Sequence, residues 1–281
     1  MTAKVLDGKK FAKEIKENLA KEIKELYDSK GIVPGLAVVL AGDDDASQVY
    51  VDMKEKACAS IGMYSKSFRL PSTVAQSELL DIIDQLNRDD KIHGILIQLP
   101  LPEAIDEKVV SNRIHPEKDI DGFHPINNGR LLLGEGDLAP CTPLGIIELI
   151  KSTGIEISGK HAVVIGRSNI VGKPTGMLLL KENATVTICH SKTKDLALQL
   201  KEADIIVSAV GIPNLVRGYM VKEGAIVIDA GTRVVDNKLV GDVNYTEVEK
   251  IASWITPVPG GVGPMTIAML LRNTFKAALK R

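Results

Sequence analysis

HAVVIGRSNIVG, residues 161–172, reads as a buried strand, a glycine turn and the opening of the helix KPTGMLLLKE at 173–182. A short β-branched run stopped by glycine is a strand signature, and a strand feeding a helix through such a turn is the unit of a parallel α/β sheet. The turn from Gly166 through Arg167, Ser168 and Asn169 to Gly172 stands where a dinucleotide fingerprint belongs. There, backbone N–H groups at the helix start meet a pyrophosphate. The match to G-x-G-x-x-G is imperfect, because Ser168 replaces the second Gly and the last Gly comes one residue late. By itself the turn fits a plain strand–turn–helix equally well.

The next strand says more. NAD sites place an acid at its end, about 20 residues after the glycines, to accept from the ribose 2′-OH. Here TVTIC (185–189) runs into His190, Ser191 and Lys192, with no acid, and Arg167 adds a cation in the turn. An acid would repel a 2′-phosphate, whereas a guanidinium and a hydroxyl bind one, so NADP is expected over NAD. Arg167 or Lys192 alone would pass for a solvated surface charge.

Working outward, DIIVSAVG (204–211) and AIVIDAG (225–231) continue the βα series, and WITPVPGGVGPMT (254–266) leads into a closing helix at roughly 264–280. Toward the N-terminus, Phe11, Ile15, Leu19, Ile23 and Leu26 mark an amphipathic helix ending near Gly31. LAVVLAG (36–42) is a strand, 47–61 a helix, SFRLP (67–71) a strand, 77–87 a helix and GILIQLPLP (94–102) a strand with a proline turn. Residues 114–143 break the rhythm and read as a long loop, the kind that is usually functional. Thr142 and Pro143 then signal a helix start, Thr as N-cap and Pro at the first helical position.

A chain of 281 residues exceeds the size at which one core keeps growing, so two α/β domains are expected. With 35 Lys and Arg against 36 Asp and Glu, a net charge of −1 carries no footprint for nucleic acid or an anionic membrane. The N-terminus lacks an apolar signal region and no apolar run approaches a membrane span, which points to the cytoplasm. Cys58, Cys141 and Cys189 form no C-x-x-C pair and read as small buried hydrophobes.

Tyr50 and Lys54 share a helix face at i and i+4, a spacing also common on ordinary helix surfaces. Lys56 and Lys66 do not share it. Gln98 lies near the carboxyl end of a strand, where open parallel sheets bind ligands, and Asp121 lies in the KDIDGF loop. His115, Asp119, Asp121 and His124 also make up a rival metal-ligand set, although proline follows both histidines and the residue types suit a polar loop.

Taken in order, SQVYVDMKEKAC, GILIQLPLP, HPEKDIDGFHP, GRSNIVGKP and TPVPGGVGPMT resemble the bifunctional methylenetetrahydrofolate dehydrogenase/methenyltetrahydrofolate cyclohydrolase family over essentially the whole chain. The resemblance implies two α/β domains flanking a cleft: residues 1–140 plus 265–281 binding folate, and a Rossmann-type NADP-binding domain at 141–264, the last helix returning to the first domain. It implies NADP-dependent oxidation of 5,10-methylenetetrahydrofolate, hydrolysis to 10-formyltetrahydrofolate, and a homodimer; from the make-up of the His/Asp loop, no metal is expected. Lys54 would be the central acid/base group, Gln98 would position it, Tyr50 would stack on the folate and Asp121 would hydrogen-bond the pterin. Ile97, Leu99, Pro259, Gly260, Gly261, Val262 and Gly263 would line the substrate pocket. Gly166, Arg167, Ser168 and Ser191 would hold NADP, with Thr232 near the nicotinamide. The chain departs from the family where Thr232 and Arg233 stand in place of a hydrophobic residue and Asn. The competing readings are another NADP-dependent dehydrogenase with a catalytic Lys, a metal-dependent hydrolase, and a non-catalytic nucleotide-binding module.

Overall fold

Gly35–Ala41 is buried at every one of its seven positions, which is why it sits at the centre of a parallel sheet. Tyr64–Leu70 pairs with it on one side and Gly94–Gln98 on the other, both parallel. The computed structural model describes residues 2–236 and 238–280, which fall into two compact units. This three-stranded sheet belongs to the unit made of Glu14–Ala139 and 267–280. Its core joins Val39, Ala41 and Ile95 of the sheet to Leu79, Ile83 and Leu86, the buried stripe of the helix Gln76–Arg88. Leu79, Ile83 and Leu86 are spaced as one face of a helix requires.

The other unit comprises residues 2–13 and Pro140–Thr266. Its six-stranded sheet runs in the order Lys4–Val5, Trp254–Ile255, Ile226–Asp229, Ile205–Ser208, His161–Ile165, Thr185–Cys189, all pairs parallel. From His161–Ile165 the chain goes first to the Thr185–Cys189 side and then crosses back to Ile205–Ser208. That reversal is the topological switch point of a doubly wound fold, the place where such sheets bind ligands. Val163, Ile165, Ile206, Val227 and Ile255 form the centre of its core.

Compactness groups residues 2–13, Pro140 and 265–266 differently from the division read along the sequence. Residues 2–13 cluster with the six-stranded sheet, because Lys4–Val5 adds to it as a parallel edge strand beside Trp254–Ile255. A two-residue strand carries no periodicity by which its partner could be foreseen. Residues 1, 237 and 281 of the expected division lie outside the described residues. The last helix, Val262–Leu279, carries residues 267–279 into the first unit. There buried Asn273 donates to the carbonyls of Ile120 at 2.8 Å and Ala139 at 3.0 Å.

Two local expectations are corrected. The stretch 114–143 is not all loop: Pro125–Leu132 is helical, with His124 as N-cap accepting from the Ile126 amide at 3.1 Å and Pro125 at the start. The later helix begins at Cys141 after Pro140, without a side-chain cap. Thr142 does not cap it because it already lies in the first turn, past the cap position at Pro140, and its hydroxyl is bonded to that of Thr266 at 3.0 Å. An antiparallel hairpin, Arg233–Val235 with Lys238–Val240, follows Thr232 at the point where the family pattern is broken. Among the described residues no helix is long and apolar enough to cross a membrane.

Candidate active site

The helix Asp45–Ser60 opens with Asp44, whose carboxylate accepts from the Ser47 amide at 2.8 Å. The Ser47 side chain first, and then this amide, hold the exposed Asp44 carboxyl below its ordinary value. Ser47, Val51 and Cys58 are buried on this helix, and Lys54 falls on the same stripe at helical spacing. Lys54 is thus aimed inward, half-buried, rather than out to solvent as a surface Tyr–Lys pair would be. Its amine donates to Gln98 Oε1 at 2.7 Å. Gln98 closes the strand Gly94–Gln98, which flanks the central one, and its Nε2 donates to the Leu99 carbonyl at 2.7 Å, which turns the amide oxygen toward the amine. Tyr50, one turn before Lys54, is half-exposed and available to a flat ligand.

Asp121 sits in a loop shaped from below. Buried Lys118 donates to the carbonyls of Leu86 and Asp89, both at 2.8 Å. Buried Asp119 accepts from the amides of Phe123 at 3.2 Å and His124 at 2.9 Å and from the Asn127 side chain at 2.8 Å. Burial pushes the Asp119 carboxyl up, against these donors, which favour its ionised form. Asp121 then lines a concavity together with Ile97, Leu99 and Phe123, which brings three of the expected substrate residues together. Tyr50, Lys54 and Gln98 are outside that lining. The rival metal set does not converge either: Asp119 and His124 are engaged in ordering the loop. Among the described residues no group of three His, Cys, Asp or Glu side chains could hold a metal ion.

In the other unit, the switch point carries a cradle that only glycine permits. Gly166 adopts φ +125°, and a Cβ there would lie 2.6 Å from the Ala209 carbonyl oxygen. A Cβ on Gly172 would lie 2.2 Å from the Gly166 oxygen, so the late glycine serves the close approach of helix to strand. Ser168 does not mimic a glycine but caps: its hydroxyl accepts from the amides of Val171 at 3.1 Å and Gly172 at 3.2 Å. The ten-residue helix Gly172–Lys181 starts here, its positive end suited to an anion. Arg167 and Ser191 each lie two residues beyond paired strand ends, Ile165 and Cys189, and both are exposed. Thr232 is exposed after the strand Ile226–Asp229.

The segment with Pro259, Gly260, Gly261, Val262 and Gly263 leads into the last helix, and the Val258–Pro259 peptide is cis. Gly8, which the sequence reading passed over, is pressed on it: a Cβ there would lie 1.7 Å from the Gly261 oxygen. Asp229 and Asp242 were also passed over. Both are buried polar residues within apolar surroundings, and an acid inside AIVIDAG was a signal that a partner waits for it.

Comparison with known proteins agrees with this layout. The model of the tetrahydrofolate dehydrogenase/cyclohydrolase catalytic domain matches residues 6–121, and that of the NAD(P)-binding domain of the same family matches 140–281. A bifunctional protein FolD from Moorella thermoacetica is 58% identical over 279 residues, 99% of each chain. The crystal structure of a bifunctional methylenetetrahydrofolate dehydrogenase/cyclohydrolase from Campylobacter jejuni matches with TM-score 0.97 at 52% identity, over 99% of each chain. A Trypanosoma brucei dehydrogenase–cyclohydrolase, solved with NADP and an inhibitor, matches with TM-score 0.95 at 43% identity, over 100% of this chain and 98% of that one.

Proposed function

Since the chain belongs to the tetrahydrofolate dehydrogenase/cyclohydrolase family, we propose that it is a bifunctional one-carbon enzyme. It oxidises 5,10-methylenetetrahydrofolate to the 5,10-methenyl compound with NADP and hydrolyses that to 10-formyltetrahydrofolate. The unit of Glu14–Ala139 and 267–280 binds folate, and the unit of 2–13 and Pro140–Thr266 binds NADP. The observation that carries the reading is the 2.7 Å bond between Lys54 and Gln98.

When bound, NADP accepts the hydride that the methylene carbon gives up. The turn between Gly166 and Gly172 fits a pyrophosphate, since its glycines let strand and helix approach closely and present the N-terminus of the helix Gly172–Lys181 to an anion. Ser168, by capping, keeps the turn in shape, and Arg167 with Ser191 takes the 2′-phosphate. Thr232 lies near the nicotinamide. On the folate side Tyr50 stacks on the rings, Asp121 bonds the pterin, and Ile97 and Leu99 line the pocket. Lys54 takes and returns protons during hydrolysis. A free amine with pKa about 10.4 is too basic for this near neutrality. Loss of hydride leaves a cationic carbon centre on the substrate, and a neighbouring cation favours the neutral amine. Gln98, a neutral acceptor, holds that amine without restoring its charge. The same reading carries a cytoplasmic homodimer, the assembly that the family resemblance implies.

A spectrophotometric assay following NADPH formation from methylenetetrahydrofolate, and separately the loss of methenyltetrahydrofolate, tests the reading with NAD and NADP compared. Turnover in both steps with preference for NADP is expected. A protein that binds NADP and turns over neither substrate would overturn it.

A further inference from the structure

Asp242 follows the hairpin of 233–240 and is 1% exposed. Its Oδ2 accepts from the Ser208 hydroxyl at 2.8 Å and the Val210 amide at 2.9 Å, and its Oδ1 accepts from the Ile212 amide at 2.8 Å. Three donors within residues 208–212 are therefore gathered on one carboxylate. Behind it, Asp229 Oδ1 accepts from the amides of Gly231 and Asp242, both at 3.0 Å, and Oδ2 accepts from the Val243 amide at 2.9 Å. The Asp229 amide donates to Thr256 Oγ1 at 2.7 Å. Glycine is demanded at both contacts: a Cβ on Gly231 would lie 2.0 Å from Asp242 Cγ, and one on Gly241 2.0 Å from Asp229 Oδ2.

Neither carboxylate has an ion-pair partner among the described residues; each is held by backbone amides, with the Ser208 hydroxyl added at Asp242. Burying such a group is costly, and a neutral side chain could fill the same volume at less desolvation. What an ionised carboxylate adds is strong, directional acceptance from several amides at once. The two amides that Asp242 gathers lie just past the carboxyl end of Ile205–Ser208. Gly231, past the end of the adjacent strand Ile226–Asp229, is packed against the Asp242 carboxyl, and Ala209 is the residue against which Gly166 is packed.

We propose that Asp242 is a positioning residue for the dinucleotide: its carboxylate sets residues 208–212 and the Gly231–Thr232 step in the shape that receives NADP, with Asp229 bracing Asp242. This rests on the NADP reading above. It assigns a function in binding to an acid that touches no reacting atom.

The test is NADP titration of the full-length protein by isothermal calorimetry, wild type against D242N, together with KM and kcat. The amide side chain keeps the volume but cannot accept from all three donors. NADP binding should weaken at least tenfold, about 1.4 kcal/mol, with KM for NADP rising in step while kcat falls less than threefold. Binding within twofold of wild type overturns the proposal, as does a fall in kcat with Kd and KM unmoved, the mark of a purely structural role. Should D242N not fold, S208A, which keeps the carboxylate and removes one donor, should weaken NADP binding two- to fivefold, and unchanged binding would sink the idea. A wild type that binds neither NADP nor NAD strikes the reading itself, a result separate from either variant's.

Discussion

The Lys54 amine donates to Gln98 Oε1 at 2.7 Å, joining residues 44 apart in the chain. Helix Asp45–Ser60 supplies the donor and the carboxyl end of strand Gly94–Gln98 the acceptor, so the pair is fixed by packing of helix on sheet. Gln98 is itself oriented by the Leu99 carbonyl, which leaves its oxygen no other direction to face.

Lys54→Met should lower hydrolysis of methenyltetrahydrofolate by at least about 100-fold, the range that general acid–base groups contribute. Steady-state hydrolysis of supplied methenyltetrahydrofolate measures this. A variant with full hydrolytic activity would remove Lys54 from the chemistry.

Gln98→Glu should keep the contact yet damage the reaction. A carboxylate at 2.7 Å favours the charged amine, so the hydrolytic rate profile should move to higher pH and its plateau should fall. A pH–rate profile matching that of wild type would show that Gln98 does not govern the protonation of Lys54.

Arg167→Ala should discriminate between the two dinucleotides. Loss of a charge-assisted bond costs about 1.5–3 kcal/mol, a factor of about 10–100 in affinity. The KM for NADP should rise by that factor while the KM for NAD stays within about twofold. Equal effects on both would place the guanidinium away from the 2′-phosphate.

Burial pushes the Asp229 carboxyl up to about 6 from its ordinary 3.8. Between those values the folded protein holds a proton that the unfolded chain has released. The stability due to protonated Asp229 is therefore full below the lower value and lost as pH rises through the upper one. Asp229→Asn cannot titrate, so wild type should lose about 2 kcal/mol relative to this variant between about pH 4 and pH 7. Urea unfolding at several pH values reads the difference, and a flat difference would contradict the raised value.

Asn273→Ala should destabilise the unit of Glu14–Ala139 and 267–280. It leaves the buried carbonyls of Ile120 and Ala139 without this donor, at a cost of about 2–4 kcal/mol. The denaturant midpoint should drop accordingly, and an unchanged midpoint would show that the last helix is held by its apolar face alone.

Legibility followed range. The strands 161–165, 185–189 and 226–229 and the glycine turn between the first strand and its helix were readable because each is a local pattern of period and punctuation. The resemblance supplied Lys54, Gln98 and Asp121 by position, but nothing in their spacing said that two of them touch while the third lines a separate concavity. Residues 125–132 were read as loop although Pro125 and His124 carried a helix start, because proline and asparagine there outweighed the weak apolar pattern.

By itself the chain determined an alternating α/β series, a dinucleotide turn lacking the acid of NAD sites, and near-zero charge, since these depend on neighbours within a few residues. Only the tertiary structure decided that residues 4–5 join the second sheet, that Lys54 turns inward onto Gln98, and that Asp242 gathers the amides of a loop 30 residues earlier. Those outcomes are set by strand register and by the cost of burying a polar group without a partner. Both belong to pairs of residues far apart in sequence, whose separation no local period encodes.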